Sequence, residues 1–301
     1  MPQIKAEWAE ALAPGIREWF SIGYASRPTL VPQLFNVLNS ESDSEYFHSF
    51  GAISPDAWAD YKRSGTVPSI GFDKGYKTTF QHDEFVVELP VQKTLIEDNK
   101  YAQIADYAGQ LGDSAALKRE IDAASVFNNA DQATPVGGDA VGLCNNNHPL
   151  TPKAPATVQD NLDAVALSAA NVEVIRQKMI AVTDDTGNIC GVMPDLLLVP
   201  PALENTAKII TQTPNAVGVA DNDLNPQIGR FRYLVWPYLT SATTWFMIDS
   251  IKMKQSLIWF DRVPLGITRK VQDETLFATW IGRMRYSYGW RDWRWINQGN
   301  A

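Results

Sequence analysis

Apolar positions along this chain follow two rhythms, and each has one long run. Between Asp98 and Asn128, Ile104, Tyr107, Ala108, Leu111, Ala115, Ile121, Ala124 and Phe127 trace one stripe at helical spacing. Gln103, Asp106, Gln110, Asp113, Lys118 and Glu120 take the opposite face. The pattern predicts a helix capped by Asp98 or Asn99 and closed by Asn128-Asn129. At 1.5 Å per residue it is ~45 Å long. Between Thr275 and Trp290 the period drops to two: Leu276, Ala278, Trp280, Gly282, Met284, Tyr286, Tyr288 and Trp290 alternate with Thr275, Thr279, Arg283, Arg285 and Ser287. Phe277 and Ile281 interrupt the polar set. This predicts a strand far longer than the usual ~5–6 residues.

The remaining elements are shorter. Ile4, Trp8, Leu12, Ile16 and Phe20 fall at steps of four, an amphipathic helix that Pro14 should break or kink. Such a helix can pack on its own domain or lie across a neighbour. Phe47–Gly75 is polar and turn-rich, with a short helix starting at Ser54-Pro55-Asp56 that puts Trp58 and Tyr61 on one face. Tyr76–Phe80 and Phe85–Leu89 bracket Gln81-His82-Asp83-Glu84, which predicts a β-hairpin or a strand pair. Asp131–Thr157 reads as a loop between two halves. Leu162–Val182 reads as a helix whose apolar side is Leu167, Val174, Ile175, Met179 and Val182. A turn at Asp184–Asn188, an apolar strand at Asp195–Val199 and a helix at Ala202–Thr211 follow. Beyond a polar loop at Asn215–Asn225 come strands at Phe231–Leu239 and Thr244–Asp249. The fold class is α+β.

Composition narrows the functions. The net charge of -8 argues against a protein that grips nucleic acid, which needs a Lys/Arg excess. Cys144 and Cys190 lack a CxxC partner or a nearby histidine pair and read as free thiols. Met1–Phe20 has charges scattered among its apolar residues, unlike a signal peptide, and no apolar run approaches the ~20 residues that span a bilayer. A soluble chain made in the cytosol, without a membrane partner, is expected. Trp280, Trp290, Trp293 and Trp295 crowd the C-terminus, as either a packed β core or a subunit contact.

No catalytic constellation emerges. His48, His82 and His148 have no ligand spacing, and GxSxG, Walker A and strand-linked GxGxxG motifs are absent. Asp184-Asp185 with Asp195, and the alternating Asp221, Asp223 and Asn225, are better read as solvated turns than as cation sites. No cofactor, no metal and no enzyme activity are expected. Contact chemistry is more evident. Lys62, Arg63, Lys74 and Lys77 interleave with Asp56, Asp60 and Asp73 on the polar arm, favouring salt bridges to a neighbouring subunit or plain solubility over nucleic-acid contact. Arg283, Arg285, Arg291 and Arg294 lie beside Trp290, Trp293 and Trp295, where they can stack across an interface or line the solvent face of a strand. With Trp8, Phe20, Trp58, Tyr61 and Phe72, these residues form the candidate set of inter-subunit contacts; Trp295 is not in it.

Two segments carry a resemblance. The first is Phe85-Val86-Val87-Glu88-Leu89-Pro90-Val91, leading through Ile96-Glu97-Asp98-Asn99 into Leu111-Gly112-Asp113-Ser114-Ala115-Ala116-Leu117-Lys118-Arg119-Glu120-Ile121-Asp122 and Phe127-Asn128-Asn129-Ala130. The second runs from Trp259-Phe260-Asp261-Arg262 to Arg283-Met284-Arg285-Tyr286-Ser287-Tyr288-Gly289-Trp290-Arg291-Asp292-Trp293-Arg294. They cover about a third of the chain. Together with the element order, they make the chain resemble the Hong Kong 97 phage capsid fold, and within it the Mu-like major head subunit family.

The resemblance implies an N-terminal arm and helix over 1–45 and an extended loop over 46–84. A peripheral domain with the spine helix would cover 85–156, an axial domain 157–250, and a return to the peripheral domain 251–301. It implies a virion shell of many identical copies, icosahedral, assembled in a bacterial cytoplasm around double-stranded DNA that it binds without sequence specificity. Separate scaffold, portal and cement proteins would be its other partners. Lys62, Lys74 and Lys77 match, by residue type only, the arm lysine through which some relatives cross-link. An encapsulin-like compartment with protein cargo and an unrecognised α/β enzyme are the rival readings.

Overall fold

The computed structural model describes residues 7–50, 53, 55–58, 61–65, 67–69, 74–135, 137–152, 154–214, 224–270 and 277–301. In chain order the elements are α1 (Glu7–Ser26), α2 (Val31–Leu34), β1 (Asn36–Asn39), β2 (Ser44–Phe50), a 3-10 turn (Pro55–Ala57), α3 (Tyr61–Ser64), β3 (Lys74–Gln81), β4 (Asp83–Gln92), α4 (Lys93–Glu97) and α5 (Tyr101–Asn128). They continue with β5 (His148–Thr151), β6 (Ala154–Gln159), β7 (Leu162–Asp163), α6 (Ala169–Ile180), β8 (Leu196–Val199), a 3-10 turn (Pro201–Leu203) and α7 (Glu204–Gln212). Last come β9 (Arg232–Val235), β10 (Trp245–Ile248), α8 (Ser250–Ser256), β11 (Leu257–Lys270), β12 (Phe277–Trp290) and β13 (Ile296–Gly299).

The two long rhythms become α5 and β12, and they pack on each other. β12 lies in a four-stranded sheet of order β1-β11-β12-β4, antiparallel except for the β1–β11 edge. Strands of 14 residues reach ~46 Å, close to the ~42 Å of a 28-residue helix. Ile104 and Ala108 meet Val91, Ile267, Ala278 and Trp280, while Val126 and Phe127 share a core with Trp259, Met284 and Tyr286. The even positions of β12 thus face inward, as their alternation predicts. The N-terminal cap is different from the expectation: α4 precedes α5, Asn99 adopts φ 55°, and Lys100 caps without a side-chain bond. The inward face also carries two carboxylates, Glu120 and Asp122, while Tyr107 and Ile121 of the expected stripe are exposed.

Helix α1 lies on α5 and buries Ile16 and Phe20 in the same core as Ile104 and Ala108. It is unbroken through Pro14 and continues to Ser26. Pro14 is on the exposed side, where the carbonyl its ring frees can meet water, so the buried face holds the helix together.

A second sheet has the order β7-β13-β10-β8-β9. All four residues of β8 are buried: Leu196 and Leu198 face the core of Phe127, Phe246 and Ile248, and Leu197 and Val199 face that of Ile175, Met179 and Ile210. Helix α6 starts at Ala169, capped by Ser168, because Leu162–Asp163 pairs with β13 as a strand. Within 251–301, β11 and β12 belong to the four-stranded sheet and Ile296–Gly299 belongs to the second. The expected 131–157 loop contains the β5–β6 hairpin.

The expected hairpin around Gln81–Glu84 does not form. β3 pairs with β2, β4 pairs with β12, and only His82 separates the two strands, too short a link for a turn. The β2–β3 ladder is the arm. Its root packs Phe47 and Phe80 on Ile258 and Phe260, on the sheet face opposite α5.

Candidate functional site

A two-stranded ladder has little of its own to bury, and the arm shows it. Beyond the ladder, Trp58 is 84% exposed, Val67 81% and Ile53 41%. Lys62 and Arg63 stand exposed on α3, and Lys74 is exposed at the start of β3. Lys77 is exposed too, with its ammonium 4.9 Å from the Tyr46 ring centroid.

The arm root is tied down by charge. Arg283 Nε donates to Glu84 Oε1 at 2.6 Å, and Arg285 Nη2 to Asp43 Oδ1 at 2.6 Å. The Arg291 guanidinium lies 4.2 Å from the Phe47 ring centroid. Arg294 Nη1 donates to Asp292 at 2.9 Å, and its guanidinium lies over Trp293. These four arginines, candidates for contacts across an interface, are thus already engaged within the chain.

Three other candidates are internal. Phe20, Trp290 and Trp293 are each only 5% exposed and belong to the chain's own cores, as do Trp280 and Trp295. The C-terminal tryptophans are a packed core: the alternation of β12 turns Trp280 and Trp290 inward, and the turn that follows the strand buries Trp293 and Trp295. Trp8 stands on α1 and Tyr61 on α3, with side chains outside the described residues, as is Phe72 altogether. Of the candidates whose side chains are described, Trp58, Lys62, Arg63, Lys74 and Lys77 on the arm and Arg283 and Arg291 at its root are exposed.

Pattern reading missed the buried polar joints. Glu120 accepts bonds from the Leu30 and Val31 N–H groups at 2.9 and 3.3 Å, from Trp236 Nε1 at 3.1 Å and from the Thr29 hydroxyl. Arg119 pairs with Asp261 through two bonds of 3.0 and 3.1 Å, its guanidinium 4.9 Å from the Trp259 ring centroid. Tyr286 donates to Asp122 at 2.5 Å, and burial together with that carboxylate pushes the phenol pKa up. His148 stacks on Trp293 at 4.1 Å, with its ring nitrogens facing Asp139 and Asn161 at 2.7 and 3.1 Å. Its lack of ligand spacing in the sequence gave no hint of this packing role.

Asp184 accepts three bonds within its own turn, from the Thr186 and Asn188 N–H groups and the Thr186 hydroxyl. Asp195 instead accepts from Ser250, so the two carboxylates do not converge on a cation. Among the described residues no group of three His, Cys, Asp or Glu side chains could hold a metal, and no helix is long and apolar enough to cross a membrane. Both cysteines are free.

No curated protein matches the chain in sequence. In three dimensions it is similar to the capsid of bacteriophage JBD30, with a TM-score of 0.57 at 15% identity over 71% of this chain and 92% of that one. It is similar to the capsid of cyanophage P-SCSP1u, with a TM-score of 0.58 at 13% identity over 91% and 88% of the two chains. A virus-like particle from Pyrococcus furiosus matches with a TM-score of 0.52 at 10% identity over 95% and 98%. At such identities the likeness shows the fold alone, the Hong Kong 97 capsid fold. The sequence carries the family: residues 88–296, more than half of the chain, match the model described as phage capsid protein. A match over that share of the sequence settles the membership that the fold by itself leaves open: the chain belongs to the phage capsid protein family.

Proposed function

We propose that this chain is the major head subunit of a tailed phage, of the Mu-like kind, with no enzymatic activity. Many copies build an icosahedral shell around double-stranded DNA. Residues 46–84 act as the extended loop, 85–156 with β11 and β12 as the peripheral domain, and 157–250 with β13 as the axial domain. Scaffold, portal and cement proteins are separate chains, and assembly takes place in the cytoplasm of the bacterial host.

The observation that carries this reading is the arm. Its body-side root is packed and ion-paired, whereas Trp58 and Val67 beyond it are more than four-fifths exposed. In a shell of many copies, a neighbouring copy covers them. The net charge of -8 supports an inner wall that does not hold on to packaged DNA.

Negative-stain microscopy and size-exclusion chromatography of the purified chain test it. Shells, sheets or tubes are expected. A compact monomer at every concentration and salt tried refutes it. The virus-like particle of the same fold keeps one rival in view, an encapsulin-like compartment. Particles purified from the source that hold protein cargo and no nucleic acid select that rival.

A further inference from the structure

The arm joins the peripheral sheet through two connections. One is the Ser40–Asp43 segment between β1 and β2; the other is the single residue His82 between β3 and β4. His82 is 5% exposed, and both of its ring nitrogens are hydrogen-bonded. Nε2 lies 3.1 Å from Ser40 Oγ, in the other connection, and Nδ1 lies 2.9 Å from Ser287 Oγ, on β12. One imidazole therefore links both roots of the arm to the central strand of the sheet, with its ring edge-to-face on Phe260 at 6.2 Å.

The direction of each bond follows from the donors present. Ser40 Oγ gives its one hydrogen to Glu45 Oε1 at 2.7 Å, so towards His82 it can only accept, and the ring proton sits on Nε2. Nδ1 is then the bare nitrogen, and the Ser287 hydroxyl donates to it. The chain Ser287–His82–Ser40–Glu45 is complete with a neutral ring. A second proton, on Nδ1, ends that donation, and the Ser287 hydroxyl must turn away to present a lone pair.

The charges around the ring make that second proton costlier. Arg285 on β12 and Arg262 on β11 oppose it, while Glu45 on β2 and Asp43 in the first connection favour it. Both carboxylates are engaged elsewhere: Glu45 by Ser40, and Asp43, whose side chain is 88% exposed, by Arg285. Arg262 Nε is buried and without a hydrogen-bond partner. Burial first, then the balance of these charges, holds the His82 pKa below the ordinary imidazole value.

We propose that His82 is a proton-operated latch: neutral, it ties Ser40 and Ser287 together across the arm root, and protonated, it lets the arm go from the peripheral sheet. The latch is a property of the single chain and goes beyond the shell reading, so either can fail without the other. The sign follows from the folded value lying below the unfolded one. The latch is fully closed above about pH 6.5, the unfolded imidazole value. It weakens as pH falls from there through the lower folded value, and does not change further below it.

Hydrogen exchange of the full-length chain from about pH 7.5 to about pH 5, corrected for the intrinsic rate of each amide, tests the latch. Amides of β2 and β3 are expected to lose protection by up to about tenfold per pH unit, the slope of a one-proton event. Those of β8 and β10 in the axial sheet are expected to hold. His82→Gln cannot take the proton, so its β2–β3 profile is expected to be flat. Ser287→Ala removes the hydroxyl that opposes the second proton, so its midpoint is expected to rise towards the ordinary imidazole value. Flat protection in the unaltered arm overturns the latch, as does a pH dependence that survives in His82→Gln. If His82→Gln does not fold, an unmoved midpoint in Ser287→Ala overturns it equally.

Discussion

Single side chains hold the parts of this subunit in register, and Glu120 does the most. It lies inward on α5, 1% exposed, and accepts bonds from the segment before α2 and from Trp236 beyond β9. One carboxylate thus joins the N-terminal segment, α5 and the chain that follows β9. Helix α2 has no side-chain cap of its own, and Glu120 supplies the acceptor from outside the helix. A buried donor left without its acceptor costs about 1–3 kcal/mol, and truncation here strands several. Glu120→Ala is therefore expected to lower stability by about 3 kcal/mol or more, read from the midpoint of urea unfolding. Glu120→Gln keeps one acceptor oxygen but turns an amide N–H₂ towards a donor, and is expected to fall between. A midpoint for Glu120→Ala within error of the parent would show the cluster to be incidental.

At the scale of elements, the α1–α5 crossing depends on missing side chains. A methyl built on Gly23 would overlap the Gly109 carbonyl, and one built on Gly112 would overlap the Phe20 carbonyl. The two helices approach backbone to backbone there, which no other residue allows. Gly112→Ala raises intrinsic helix propensity by about 1 kcal/mol, yet overpacking costs about 1–3 kcal/mol. A net loss of stability is expected, with α1 released first; faster proteolysis within 7–26 would report it, and a stabilised variant would contradict the close crossing. Periodicity found both partners of this crossing but not the crossing itself, because glycine leaves no apolar mark in a sequence. It found the length of β12 and the buried run of β8 for the opposite reason: sustained alternation marks the one, and an apolar run closed by Pro200-Pro201 marks the other. β11 was illegible: register shifts between Asp261 and Val263 and between Val263 and Gly266 break its alternation, and Pro264 lies in the middle. The strand pair around His82 was legible as strands and misread as partners, since a sequence shows where a strand runs and not which edge it meets. Glu120 was read as surface for the same reason: its donors lie far away in the sequence.

The whole molecule divides into a self-sufficient body and an arm that is not. Most tryptophans of known burial lie inside the body, with Trp236, Trp245, Trp259, Trp280 and Trp295 fully buried. Trp58 is the contrast, and its exposure separates two quantities that usually change together. Removing a side chain that touches little in its own chain changes folding by no more than about 0.5 kcal/mol. Removing a large aromatic from the centre of a contact between chains costs about 2 kcal/mol or more per contact. Each 1.4 kcal/mol is about tenfold in an equilibrium constant, and a shell repeats the loss at every copy. Trp58→Ala is therefore expected to leave the thermal midpoint of the dissociated subunit unchanged while raising the concentration threshold for assembly by about tenfold or more. Light scattering against protein concentration measures the threshold, and calorimetry of the dissociated subunit measures the midpoint. Val67→Ala, a smaller side chain equally exposed, is expected to raise the threshold less. A threshold unmoved by Trp58→Ala would mean that the arm is covered elsewhere along its length, and a lowered midpoint would mean that Trp58 belongs to the chain's own fold.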